Sequence, residues 1–232
     1  MSTSSDQNQN VDVIRQRKKA LRKEIRGRVK ELSSDAIVEQ SQKVWNRLFE
    51  LPQYQSAKSV GLFLSMPNGE IKTDPALLHA IQNGKDIYVP EVGKNFEQSD
   101  MELRKVVVEK GGEQPSSTSV PSEVFHKTWP RNKWGIPEPP ESMPVVLATP
   151  GELDLLITPG LAFDRNCNRM GQGKGYYDRF IARMTAEEGT KLPLIAVGLS
   201  PQLYEGDIPV DEYDQKMDMV LFPDEVIKSN SN

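Results

Sequence analysis

Leu153-Asp154-Leu155-Leu156-Ile157 runs on through Gly160-Leu161-Ala162-Phe163-Asp164 and Asn168-Arg169-Met170 to Gly171-Gln172-Gly173-Lys174-Gly175-Tyr176-Tyr177-Asp178. The opening apolar run reads as a strand buried on both faces. A helical pattern takes over at residues 176–184. Between them, three alternating glycines, Gly171, Gly173 and Gly175, surround Lys174. A strand, a glycine-rich loop and a helix start in that order form one unit of an α/β sheet. The loop also has the makings of an anion site. Glycines let backbone N–H groups approach a phosphate, and a helix N-terminus adds partial positive charge. Lys174 adds a full charge, and Arg169 flanks the loop. Asp178 follows within one turn, where a carboxylate can hold a cation that bridges phosphates. A P-loop is excluded, because Asn168 stands where its first glycine belongs and Gly175 follows the lysine in place of Ser or Thr. The dinucleotide fingerprint is excluded by its spacing. A tight glycine turn ending a strand is the plainer alternative.

Outward from this stretch, strands and helices alternate. Apolar runs at residues 59–64, 87–90, 101–108, 194–199 and 220–222 predict further strands. Ile14, Leu21, Ile25, Val29 and Leu32 recur at helical spacing and predict a helix over 11–32. A second helix is predicted from the Ser33-Ser34-Asp35 restart to about residue 50. A third begins at Thr73-Asp74-Pro75 and stops at Asn83-Gly84. Residues 110–128, rich in Gly, Ser, Pro and Glu, predict an exposed loop. Trp134-Gly135-Ile136-Pro137-Glu138-Pro139 predicts a proline-bounded turn carrying an aromatic ring. The fold class is therefore α/β, a three-layer sandwich with a mostly parallel central sheet flanked by helices. The expected division is a disordered tail over 1–10, a single domain over 11–225 and a flexible tail over 226–232. Ligands of such sheets sit beyond the carboxyl ends of strands. That singles out the loops at 65–70, 160–175 and 200–214.

Composition narrows the function. The chain has 232 residues and a formal net charge of −4, so nothing attracts it globally to nucleic acid or to an anionic membrane. Its one cysteine, Cys167, has no partner for an internal disulfide. His79 and His126 lie far apart without metal-ligand spacing. No apolar run is long enough to span a membrane. The basic residues within 14–30 resemble a mitochondrial presequence or, alternatively, a helix of the mature fold.

These residues carry a resemblance to the 5-formyltetrahydrofolate cyclo-ligase (5,10-methenyltetrahydrofolate synthetase) family. The similar blocks are Lys18-Lys19-Ala20-Leu21-Arg22, Phe63-Leu64-Ser65-Met66 with Glu70-Ile71, the Trp134–139 turn, the 154–178 stretch, and Pro209-Val210 with Asp214 and Asp218. Together they cover roughly residues 15–223. The resemblance implies a Rossmann-like sandwich of the kind shared by sugar-phosphate isomerases and CoA-transferases. It implies an enzyme that uses ATP and magnesium to convert 5-formyltetrahydrofolate, polyglutamylated forms included, to 5,10-methenyltetrahydrofolate, ADP and phosphate. Residue by residue, it assigns ATP to Lys18, Lys19, Arg22, Arg169, Gly171, Gln172, Gly173, Lys174, Gly175, Tyr176 and Tyr177. Lys174 and Arg169 carry the catalytic charge. The folate falls to Leu64, Met66, Glu70, Trp134 and Tyr177, and magnesium to Asp178 and Asp214. Gln172 brings no charge to the loop. The expectation is a monomer in the cytoplasm, with a mitochondrial location as the alternative and with no nucleic acid or membrane partner. A sugar-phosphate isomerase and a non-catalytic folate-binding protein are the competing readings.

Overall fold

The computed structural model describes residues 4–93, 101–107, 125–187 and 189–229. In chain order its strands are β1 (Ser59–Gly61), β2 (Asp86–Val92), β3 (Met101–Lys105), β4 (Leu155–Thr158), β5 (Ala162–Phe163), β6 (Arg169–Met170), β7 (Leu194–Val197), β8 (Met219–Leu221) and β9 (Val226–Lys228). Seven of them form one sheet in the order β3-β2-β1-β4-β7-β8-β9, and β5 and β6 form a separate hairpin. The sheet is parallel from β2 through β8; β3 and β9 run antiparallel at its two edges.

Successive side chains on a strand point to opposite faces, so a continuous apolar run supplies two cores. Leu155, Ile157, Ile195, Val197, Met219 and Leu221 face one way. They pack on α1 (Ser4–Lys30), α2 (Ser34–Glu50), α3 (Pro52–Ser56) and α4 (Asp74–Gln82). Leu156, Ala196 and Val220 face the other way and pack on Phe180, Ile181 and Met184 of α5 (Tyr176–Met184). Three layers result. In α1 the buried apolar residues are Leu21, Ile25 and Val29, spaced at four. That stripe makes the basic segment a wall of the domain. In α2, Ser33 caps the helix by accepting from Ala36 N at 3.1 Å, and Trp45 and Leu48 are fully buried.

Several boundaries differ from expectation. Residues 4–10, assigned above to a disordered tail, continue α1; once a helix is nucleated, each further residue adds a backbone bond. Val226–Lys228, assigned to a flexible tail, forms β9 and pairs with β8, so it closes the sheet beyond residues 220–222. The 59–64 run is a strand only to Gly61, although Leu62 N still donates to Tyr88 O at 2.8 Å. In the 110–128 segment, Phe125–Thr128 is a short 3₁₀ helix; residues 108–124 lie outside the described residues. Among the described residues no helix is long and apolar enough to cross a membrane.

The connections fix where a ligand can sit. From β1 the chain leaves through α4 to β2 on one face, and from β4 it leaves through α5 to β7 on the other. Adjacent β1 and β4 thus send their loops apart, and a crevice opens beyond their carboxyl ends.

Candidate active site

A cavity of about 820 Å³ occupies this crevice. That volume is within the range of small-molecule sites. Its walls come from α1, the segment after β1, the Trp134 turn and the segment after β4.

The wall after β1 is a compact turn. Glu70 Oε2 accepts from Met66 N at 2.6 Å, and Thr73 Oγ1 accepts from Ser65 N at 3.1 Å. Lys72 Nζ donates to the carbonyl of Pro67 at 2.6 Å. The Trp134 turn docks directly on this one. Asn132 organises it, its Oδ1 accepting from Trp134 N at 3.0 Å and Ile136 N at 3.1 Å. Gly135 has φ 76°, and a Cβ there would lie 2.8 Å from Pro67 Cγ. A side chain at 135 would therefore push the two turns apart. Leu64, Met66, Glu70, Trp134 and Tyr177 all line the cavity. They offer flat and apolar surface with one carboxylate among it. Loss of water raises the Glu70 carboxyl to about 7, although the Met66 amide and Lys72 pull it down. Burial, and then the nearby charge of Glu70, raise the Tyr177 phenol well above its ordinary value; Arg169 opposes them.

The opposite wall is the glycine loop. The β5–β6 hairpin carries it, and Asp164 ties the tip of that hairpin. Asp164 accepts from Asn166 N and Asn168 N at 2.9 Å each and from Ile208 N at 3.0 Å. The hydrogen bonds of the loop fall on its acceptors. Arg22 Nε donates to Gly171 O at 3.0 Å, Arg26 Nη2 to Gln172 Oε1 at 2.7 Å, and Arg179 Nη2 to Lys174 O. Among the described residues no backbone N–H from Gly171 to Gly175 donates to a protein acceptor. Lys174 is exposed on the cavity lining and makes no ion pair among the described residues. A loop whose carbonyls are held from behind, with free amides and a free ammonium in front, suits a polyanion. Arg169 lies behind Tyr177, 4% exposed, with its guanidinium carbon 5.6 Å from the ring centroid. Its Nη2 meets Asp178 Oδ1 at 2.5 Å, while its buried Nε has no partner.

A model of the 5-formyltetrahydrofolate cyclo-ligase family matches residues 14–223. The chain belongs to that family. It is 32% identical over 209 residues to mouse 5-formyltetrahydrofolate cyclo-ligase, covering 89% of this chain and 94% of the mouse one. It is 29% identical to the probable cyclo-ligase of Schizosaccharomyces pombe, over 92% of this chain and 98% of that one. Among solved structures, the Aquifex aeolicus 5,10-methenyltetrahydrofolate synthetase superposes with a TM-score of 0.68 at 26% identity, covering 93% of this chain and 94% of that one. Like its relatives, the chain is an enzyme with the fold of a cyclo-ligase.

Within this cyclo-ligase the structure brings most of the marked residues together. The five folate-side residues, Tyr177 among them, share the cavity with Arg169, Gly171, Gln172, Lys174, Gly175, Tyr176 and Asp178. Lys18, Lys19, Arg22, Gly173 and Asp214 stand outside its lining. Lys18 is buried and bonded to Asp211 and Asp214 at 2.7 and 2.5 Å. Lys19 is exposed on α1. Arg22 lies behind the loop and turns its Nε to a carbonyl. Burial, and then the like charge of Arg26, lower its guanidinium below the ordinary value; Asp214 opposes them. Each marked carboxylate is paired with a cation, Asp178 with Arg169 and Asp214 with Lys18. The two are neighbours, because Gln215 N donates to Asp178 Oδ1 at 3.3 Å. Among the described residues no three His, Cys, Asp or Glu side chains gather around a common point. The donor set of two neighbouring carboxylates, Asp178 and Asp214, is of the kind that holds magnesium together with substrate phosphates. Arg26, Lys72 and Asp211 were not marked by the sequence. Their identity is ordinary; only the docking of α1, the turn after β1 and the 209–214 loop give them a place.

Proposed function

We propose that the cavity holds 5-formyltetrahydrofolate against the Leu64–Glu70 and Trp134 wall and ATP against the glycine loop. The reaction is their ATP-dependent conversion to 5,10-methenyltetrahydrofolate, ADP and phosphate. The observation that supports this most strongly is the sharing of one cavity by an aromatic wall that carries the Glu70 and Glu138 carboxylates and by a loop of unused amides with a free lysine. An isomerase acting on a sugar phosphate needs the second feature but not the first.

The formyl oxygen attacks the γ-phosphorus, and the bond from that phosphorus to the ADP oxygen breaks. N10 then adds to the activated formyl carbon and gives up its proton to solvent. Phosphate departs with the former formyl oxygen. No nucleophile or strong base of the protein is required, so positioning and charge do the work. Lys174 and the amides of residues 171–175 take the phosphate charge. Arg169, fixed by Asp178 and Tyr177, adds its positive charge to the same wall. Tyr176 continues the same wall. Arg22 places positive charge behind the loop, and Lys18 positions Asp211 and Asp214. Asp178 and Asp214 would hold magnesium, which neutralises phosphate charge when bound with the nucleotide. Glu70 as a carboxylate accepts the amino and ring N–H donors of the pterin, with Trp134 and Tyr177 against its faces.

The test is an absorbance assay with purified protein, magnesium, ATP and 5-formyltetrahydrofolate. Growth of the near-ultraviolet methenyl band only when ATP is present supports the reading. Folded protein that binds ATP and produces no band overturns it.

A further inference from the structure

Arg26 sits one helical turn beyond Arg22 on α1. The two residues hold consecutive positions of the glycine loop, Arg22 at Gly171 O and Arg26 at Gln172 Oε1. The Arg22 guanidinium also lies beneath Gly173, which has φ 102°; a Cβ there would come within 3.3 Å of Arg22 Cζ. Gly171 and Gly173, on either side of Gln172, have little steric restriction of their own, because glycine adopts either sign of φ. Their conformation has to be imposed from outside. Gln172 brings the loop a side-chain acceptor, and Arg26 occupies it. Like charges one turn apart on a helix repel. Two guanidiniums are nonetheless placed together here, each with a neutral oxygen of the loop as acceptor. Neither positive charge is cancelled by that bond, and Arg26 also lines the cavity.

We propose that Arg26 and Gln172 form a latch that sets the glycine loop for a triphosphate, which makes Arg26 a positioning residue for the nucleotide. The proposal rests on the reading of this loop as the ATP side of the cavity. A neutral glutamine suits the part. It anchors the guanidinium and leaves the positive charge for the phosphates. Glutamate at 172 would keep the anchor and set a negative charge beside the ligand.

The experiment compares wild type, Arg26→Ala, Gln172→Ala, the double variant and Gln172→Glu. It reads KM for ATP, KM for 5-formyltetrahydrofolate, and NMR order parameters of the 171–175 amides in the ligand-free protein. Each alanine variant is expected to raise KM for ATP about fivefold, the worth of one hydrogen bond. Each also lowers the order parameters of the loop, and KM for the folate moves less. The double variant matches either single one, because all three lose the same bond. Gln172→Glu keeps the order parameters and still weakens ATP. Additive losses in the double variant overturn the latch, since Arg26 then meets the ligand independently of Gln172. Unchanged loop order parameters in Arg26→Ala overturn it as well. If wild type makes no methenyl product, the functional reading fails while the order parameters still decide the latch.

Discussion

Residues 171–175 are held by arginines that lie 149 and 146 positions away in sequence. Residues 65–73, across the cavity, close on themselves with bonds that span eight and four positions, and Ser41 and Trp45 of α2 anchor the segment at Lys72. The first wall is ordered by charged groups on a helix docked against it. The second is ordered by its own turn and by the contact of Pro67 with Gly135. The difference follows from what each wall receives. A polyanion needs amides and charges free at the front, so the loop must be gripped from behind. A flat heterocycle needs a firm, dry surface, and a short self-bonded turn provides one. The phosphate wall should therefore fail when a charge is deleted. The folate wall should fail when its shape or its protonation changes.

The largest effect is expected from Lys174→Ala. Loss of one preorganised charge at the transferring phosphoryl group should lower kcat/KM about a hundredfold or more. The melting temperature should hardly move, because Lys174 is exposed and makes no ion pair among the described residues. Steady-state kinetics beside a thermal melt checks both.

Glu70→Gln comes next. It should raise KM for the folate about tenfold, in line with a lost hydrogen bond to a charged group, and spare KM for ATP. Its pH dependence sharpens the contrast. The carboxyl is raised to about 7 from an ordinary 4.5, so between these values the folded chain binds more protons than the unfolded one. Stability contributed by the protonated form is complete below the lower value and is lost as pH rises through about 7. The variant should thus gain melting temperature over wild type at pH above 7, and the gain should vanish toward pH 4.5. Melting curves across that range measure it. A constant offset at every pH would remove Glu70 from the dry wall.

Gly135→Ala should cost about 1–2 kcal/mol through its positive φ, with further displacement of the Pro67 turn. Denaturant unfolding gives the loss, and a rise in KM for the folate alone would tie it to that wall. Asp214→Asn is the mildest, because Lys18 retains Asp211. The magnesium concentration needed for half-maximal rate should rise about twofold, as the cation is shared by other oxygens; an identical magnesium titration would take Asp214 out of the site.

The sheet was largely legible because buried parallel strands and amphipathic helices write their periods into the chain. Residues 176–184 became α5 with the boundaries that their pattern implied. β9 was not legible: three residues carry no period, and their pairing with β8 exists only in the assembled sheet. The cavity residues were legible as chemistry and not as partners. Nothing in the sequence says that Asp178 would meet Arg169, or that Lys18 would be buried between Asp211 and Asp214. The same limit applies to Arg26. A basic residue on a helix normally reads as a solvated face, and only the docking of α1 on the loop separates it from Lys19.

The account rests on the two walls bringing a formyl oxygen to a γ-phosphorus. The direct test is a turnover with 5-formyltetrahydrofolate carrying heavy oxygen in the formyl group, followed by mass spectrometry of the released phosphate. Heavy oxygen in the phosphate is the predicted result. Phosphate that carries only ordinary oxygen, released alongside methenyl product, would contradict the shared cavity as the place where the two substrates react.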